Sequence, residues 1–173
     1  MRYLPLVFIL LLYFVVGTAF AVLTPDWQAP DEPAHYNYVA QVSAEPCCPL
    51  ILPGDWSLDY LSQLTSNRFA PALLGDLDTI QYEDHQPPLY YLITAPIFAL
   101  SNGNLTAVRL FSILLGSLII ICTYRIALHH LPNHTAIASA AALLVAFVPQ
   151  HVHILAAANN DALAHAGIDR DSI

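Results

Sequence analysis

Four groups of polar residues in a mostly apolar chain have the types and spacing to do chemistry. Asp31, Glu32 and His35 fall within about one helical turn in "WQAPDEPAHYNYV". Glu83, Asp84 and His85 stand just before Pro87 and Pro88 in "EDHQPPLYY", Arg109 opens a long apolar run, and Gln150, His151, His153 and Asp161 punctuate another. Carboxylates beside histidines can accept a proton or hold a cation, and a guanidinium can hold an anionic oxygen pair bidentately. Asp31 and Glu32 lie where a helix is predicted to begin, with Asp31 able to cap it, and the helix dipole there favours their ionised forms. His35, at i,i+4 from Asp31, is placed to orient it. Glu32, Asp84 and His85 are candidate ligands for a divalent metal ion, although no spacing in the chain is a zinc signature.

These groups must be positioned by a membrane protein. The chain has 173 residues, 57% hydrophobic and 10% charged, with a mean hydropathy of +0.55, whereas soluble domains carry about a quarter charged residues. Lysine is absent, and 13 acids against 5 arginines give a formal charge of −8, which leaves no electrostatic footprint for nucleic acid.

Residues 1–23 read as a first transmembrane helix, long enough to cross ~30 Å of hydrocarbon. Ala19-Phe20-Ala21 imitates a signal-peptide cleavage site, but the apolar run exceeds the usual h-region of about 7–15 residues, so an uncleaved anchor is the reading taken. Arg2 then assigns the N-terminus to the cytoplasm. Residues 24–106 form a long extracytoplasmic loop; its stretch to Pro88 holds ten of the acids and one arginine, Arg68. Such a loop is expected to contain juxtamembrane helices, one starting at "DEPAHYNYVAQVSAE" and one, interfacial or re-entrant, over 89–100, because a twelve-residue run is too short to span. A second transmembrane helix over 107–129, a cytoplasmic turn at 130–134 and a third helix over 135–158 follow, then an outer segment and tail, 159–173. On this topology Asp31 and Asp161 share one face of the membrane.

The motifs "APDEPAH", "EDHQPPLYYLI", "VRLFSILLG" and "NNDALA", in this order and at membrane-consistent positions, resemble the GT-C-fold glycosyltransferases. The branch most similar is that of the protein O-mannosyltransferases and lipid A aminoarabinose transferases. The resemblance covers about residues 1–165. It implies an all-α polytopic fold, the N-terminal part of a GT-C-type helix bundle, and inverting transfer of a sugar from a polyprenyl-phosphate donor to a lipid, glycan or protein hydroxyl on the extracytoplasmic side. It also implies that Asp31, with Glu32 beside it, acts at the acceptor hydroxyl, and that this enzyme sits in a bacterial plasma membrane among its lipids.

The chemistry fits that implication. A sugar on a lipid phosphate already has a leaving group, so the protein must supply a carboxylate for the acceptor proton and countercharge for the phosphate. Asp31 suits the first task, and Asp161 combines charge, position and motif match. Arg109 either holds the phosphate or snorkels to fix its helix end. His85 and His35 are candidate substrate contacts. Tyr90 and Tyr91 either stack on a sugar or polyprenyl chain or form an interfacial aromatic belt. Gln150, His153 and Asp161 fall within a quarter of a helix circumference if the third span is continuous, which makes His153 a further substrate candidate. Cys47 and Cys48, being adjacent, are expected to pair elsewhere or stay free.

A full transferase of this kind continues through further crossings, and the match ends in the polar tail "AGIDRDSI", so the chain reads as an N-terminal fragment. A non-enzymatic transporter or assembly subunit with a cation-binding acidic loop is the alternative class; against it, no charge pair crosses the bilayer midplane.

Overall fold

The computed structural model describes residues 2–45, 47–161 and 163, and the tail 166–173 lies outside them. Among the described residues every regular element is helical. Helix α1, Leu4–Leu23, starts with a proline in its first turn and has almost no polar atoms to expose. At ~1.5 Å per residue its 20 residues match the hydrocarbon thickness. Helix α5, Leu105–His130, is capped by Asn104, whose Oδ1 accepts the N–H of Ala107 at 2.9 Å. That cap sets the start of the helix two residues before the expected one. These two helices are each long and apolar enough to cross a membrane.

The third span departs from the continuous helix expected over 135–158. It is built as α6, Thr135–Phe147, and α7, Pro149–Leu155, bent by 64° at the break. Pro149 has no N–H to give and forces the preceding residue out of helical backbone; Val148 accordingly sits at φ −64°, ψ 117°.

Helices α1, α5 and α6 pack around Ile9, Tyr13, Ile113, Ile120 and Tyr124, with α7 closing the core through Leu155. Ala138, Ala142 and Ala146, at i,i+4 spacing, are fully buried on α6; such small residues let helix backbones approach closely where lipid offers no hydrophobic driving force between helices. The opposite surfaces of these helices expose Phe8, Leu11, Val15, Leu114, Leu118 and Leu144, an apolar face suited to lipid.

A second layer lies at one end of the bundle. Helix α2, Glu32–Ala44, packs on α4, Leu89–Leu100, through Tyr38, Val39, Val42, Tyr90, Tyr91 and Ala95. The rings of Tyr38 and Tyr91 stack at 3.7 Å. Tyr90 Oη lies 2.7 Å from Ser112 Oγ, and Gly103, just past the end of α4, accepts from Tyr36 Oη at 2.6 Å. Phe98, near the end of α4, packs with Leu105 and Val108; with Tyr90 on Ser112 this lays α4 along the first two turns of α5, and this helix does not run the length of the bundle. Helix α3, Leu58–Ser66, and a 3-10 helix, Pro71–Thr79, cover α2 through Ala34, Leu64 and Ile80. Asn37 fastens this cover by donating from Nδ2 to the carbonyls of Leu77 and Ile80 at 2.7 and 2.8 Å.

The far end of the bundle is tied by Tyr124, whose hydroxyl donates to the carbonyl of Arg2. Residues 24–88, the start of α5 and the segment after α7 thus share one end, and the N-terminus and residues 131–134 share the other. The sulfurs of Cys47 and Cys48 meet each other, contrary to the expectation that they pair elsewhere or stay free.

Candidate functional site

Two sequence stretches far apart in the chain form the site because α2 docks on the turn before α4. Asp31 stands just before α2 with left-handed backbone, φ 55°, and makes no capping hydrogen bond. Its carboxylate turns instead to Tyr82, whose hydroxyl donates to Oδ1 at 2.7 Å. The expected capping role is lost because the left-handed backbone, which aspartate tolerates better than most residues, directs the side chain away from the helix. Burial, then the hydrogen bond and charge of Asp31, push the Tyr82 phenol well above its usual range, so it remains a proton donor to that carboxylate.

Glu32 is oriented in the opposite sense. Fully buried, it receives Arg109 Nε on Oε1 at 2.7 Å and Nη2 on Oε2 at 2.6 Å. The backbone N–H of Trp27 completes Oε2 at 3.1 Å and that of Ala158 reaches Oε1 at 3.3 Å. Arg109 also donates Nη1 to the carbonyls of Ala21 and Thr24 and Nη2 to that of Pro25, at 2.9, 2.8 and 3.2 Å. The open end of α1, whose last carbonyls have no helical partner, is closed by this guanidinium. Arg109 neither snorkels nor faces an open cavity: its five N–H groups are turned onto Glu32 and the α1 terminus.

His35 is buried, with Nδ1 2.8 Å from Tyr91 Oη. Burial pushes its pKa down to about 4, with the charge of Asp31 opposing and that of His85 adding, so the ring is neutral at neutral pH. His85 is exposed, its Nδ1 2.9 Å from the carbonyl of Tyr82. Asp84 is buried against Gln41, which donates from Nε2 at 3.1 and 3.2 Å. Its carboxyl pKa is raised, chiefly by burial. Tyr90 is buried on Ser112 and Tyr91 on Tyr38 and His35, so these rings build the α2–α4 contact and present no face to a ligand here.

The segment after α7 closes the site from a third side. Asn160 donates to Gln86 Oε1 at 3.1 Å, and the N–H of Asp161 bonds Asn159 Oδ1 at 2.8 Å. Because α7 ends at Leu155, Asp161 does not continue the α7 surface that carries Gln150 and His153, and the shared helix face expected for these three is absent. Glu32, Asp84 and His85 are not brought to one point either: among the described residues no three His, Cys, Asp or Glu side chains gather to hold a metal ion.

Two cavities meet at Gln28. One, of ≈ 300 Å³, is lined by Asp31, Tyr82, Trp27, Leu61 and Phe69 among others. The other, of ≈ 490 Å³, lies at the end of α1 between Ala19, Phe20, Leu23, Thr24 and His153. Gln28 lines both, and its Nε2 donates to the carbonyl of Arg68 at 3.1 Å. The roles of Tyr82 and Gln28 escaped sequence reading; Tyr82 adjoins the "EDH" motif, and that adjacency was the available signal.

Residues 85–167 match the family model of dolichyl-phosphate-mannose-protein mannosyltransferases. The resemblance to membrane glycosyltransferases holds over that segment, which carries His85, Tyr90, Arg109, His153 and Asp161, while Asp31, Glu32 and His35 precede it. The all-helical fold with its membrane-length helices agrees with such a family. No curated protein and no solved structure matched the chain.

Proposed function

We propose that this chain carries the acceptor-activating part of a membrane sugar transferase that uses a polyprenyl-phosphate donor and works at the extracytoplasmic end of the bundle. The observation that carries the reading is Asp31: an exposed carboxylate, held by Tyr82, on a cavity that adjoins a largely apolar groove at the end of α1 through Gln28. The acceptor hydroxyl gives its proton to Asp31 as its oxygen bonds the anomeric carbon. The bond from that carbon to the donor phosphate breaks with its electron pair on the phosphate, and the configuration inverts. The groove beside Phe20 and Leu23 suits the donor's isoprenoid chain, and His153, packed at 5.9 Å on the Phe20 ring, lines it with Thr24 and Gln28 and can donate to the phosphate.

In this reading Glu32 and Arg109 are positioning residues. They fix the backbone on both sides of Asp31 and bring Ala158, and with it Asp161, to the same end. His85 and Asp161 border the site, and membrane lipids surround the bundle. The test is transfer from a labelled polyprenyl-phosphate sugar in membranes containing the protein. Asp31→Asn keeps the shape but loses the proton acceptor, and general-base losses are typically about 10²–10⁴-fold, with donor binding retained. Transfer by Asp31→Asn at the unaltered rate would remove Asp31 from the reaction.

A further inference from the structure

Cys47 and Cys48, just past the end of α2, are both exposed, and their sulfurs meet on a cavity of ≈ 370 Å³ that they line with Gln41 and Glu45 among others. None of these residues lines the two cavities at Gln28. A disulfide that acts as a staple stabilises by closing a loop of chain, and its effect grows with the number of residues enclosed. Between adjacent residues no loop is enclosed, so this bond ties no second element of the fold to α2. Its exposure leaves it open to attack by a thiolate, and exposed disulfides are the labile, regulatory or catalytic ones.

The segment that follows is presented to a partner. Pro49 and Pro53 fix their own φ and push Cys48 and Leu52 towards extended backbone, and residues 48–52 accordingly lie in no helix, strand or turn. Leu50, Ile51 and Leu52 are 76, 45 and 62% exposed, a run of apolar side chains that marks a contact surface. The backbone N–H and C=O groups of Leu50 and Ile51 hydrogen-bond to no described residue. Unpaired backbone is costly in hydrocarbon, which disfavours burial of this segment in lipid, whereas a partner's strand edge would pair it. The far end is anchored: Leu52 N–H donates to Asp55 Oδ2, Asp55 N–H to the carbonyl of Leu52 at 3.2 Å, and Gln81 N–H to the carbonyl of Asp55 at 2.8 Å.

We infer that Cys47 and Cys48 form a thiol–disulfide exchange site for a partner protein that carries a redox-active dithiol and binds residues 48–52 as an added strand. A thiolate of the partner attacks one of the two sulfurs. The Cys47–Cys48 bond breaks with its electron pair on the other sulfur, which takes a proton. The partner's second thiol loses its proton and displaces the sulfur held in the mixed disulfide, which is released and protonated in turn. Two electrons and two protons pass from the partner's dithiol to this chain, the partner leaves as its disulfide, and the reverse sequence oxidises the pair. Nothing in this exchange depends on the reaction at Asp31.

The test uses the 173-residue chain in neutral-lipid nanodiscs, with the free Cys122 replaced by serine. Thiols are counted by the mass a maleimide adds, after treatment with reduced thioredoxin as the protein dithiol or with dithiothreitol as the small one. Both reductants are expected to free Cys47 and Cys48 in the folded chain. Thioredoxin whose second active-site cysteine is serine should remain covalently attached until dithiothreitol releases it. Leu50→Ser combined with Leu52→Ser, both at exposed positions, is expected to slow reduction by thioredoxin about tenfold and to leave the dithiothreitol rate unchanged. Leu58→Ser, at the exposed first residue of α3, should leave both rates as they were.

Thiols that appear only after denaturation, or no adduct with the thioredoxin variant, would overturn the exchange site. So would a pair that stays alkylatable after an excess of a small disulfide. An unaltered thioredoxin rate in the Leu50, Leu52 variant, or equal slowing with both reductants, would overturn recognition of the segment. Reduction by thioredoxin in detergent but not in nanodiscs would put the segment in lipid and overturn it as well.

Discussion

Glu32 and Arg109 stand 77 residues apart in the chain and meet through two hydrogen bonds of 2.7 and 2.6 Å, both side chains almost wholly buried. The pair joins α2 and α5 to three further parts of the fold, since its remaining bonds reach the end of α1, the Trp27 loop and the segment after α7. A buried pair of this kind contributes little over an apolar substitute, but breaking it strands a charge, at about 3–5 kcal/mol. Glu32→Leu and Arg109→Met are each expected to lower stability by that amount in detergent unfolding followed by tryptophan fluorescence. The double variant should lose less than the sum of the two. Strict additivity would mean that the two groups do not act as a pair.

Gly116 marks where three helices touch. A Cβ there would lie 2.6 Å from Tyr13 Oη on α1 and 2.9 Å from Leu155 Cδ1 on α7. Tyr13 is itself pinned, its hydroxyl donating to the carbonyl of Ile113 at 3.2 Å, so it cannot retreat without losing that bond. Gly116→Ala is expected to destabilise by about 1–3 kcal/mol. Gly75→Ala meets nothing within 4 Å and should be neutral or slightly stabilising. Equal melting temperatures for the two variants would contradict the packing described.

Much of this architecture was legible before the structure. The extent of α2 followed from an acidic start and Pro33, and that of α4 from a short apolar run ending at "SNGN". Both depend on local backbone chemistry. The continuous third span failed because an apolar composition runs through Pro149, and only the missing N–H and the extended Val148 reveal the bend. The Glu32–Arg109 pair was illegible for a different reason. Each residue was read against its own neighbours, and a contact across 77 residues exists only once α1, α2 and α5 are packed. Likewise Tyr90, on α4, and His35, on α2, look like ligand contacts until these two helices pack together and both side chains are buried.

The shared end of the bundle makes the proposed orientation testable. Single cysteines replacing Asp31 and Asp161 are expected to react with an impermeant maleimide in intact cells, while one at His130 should not, in a background without the native cysteines. Arg2, at the end opposite Asp31, supports this orientation through the positive-inside rule. Labelling at His130 alone would reverse the topology.

Acid should loosen the α2–α4 layer before the bundle. His35 has its pKa lowered from 6.5 to about 4 by burial, so the unfolded chain takes up its proton first as pH falls. The stability held by the neutral ring is complete above about pH 6.5, declines through the interval to pH 4, and falls no further below it. A shift of this size corresponds to about 3 kcal/mol. The groups facing the ring are Asp31, His85 and Tyr91. Hydrogen exchange of the α2 amides should accelerate over that interval, and His35→Gln should flatten the response. An unchanged slope in His35→Gln would assign the acid effect to another group than His35; Asp84 is not that group, because a carboxyl whose pKa is raised by burial takes up its proton in the folded state first, and acid then favours the fold.

The Tyr82–Asp31 hydrogen bond permits a finer test of the reaction than Asp31 alone. Tyr82→Phe keeps the ring that lines the cavity and removes only the 2.7 Å donor to Oδ1. A carboxylate that loses a hydrogen-bond donor becomes more basic, but it is also less well aimed. If Asp31 accepts the acceptor's proton, the pH dependence of transfer should move to higher pH in Tyr82→Phe, with a rate loss smaller than that of Asp31→Asn. If the tyrosine only supports the loop, the rate will fall at every pH with the profile unmoved. A Tyr82→Phe enzyme with the original rate and profile would show that the bond between these two residues has no part in transfer.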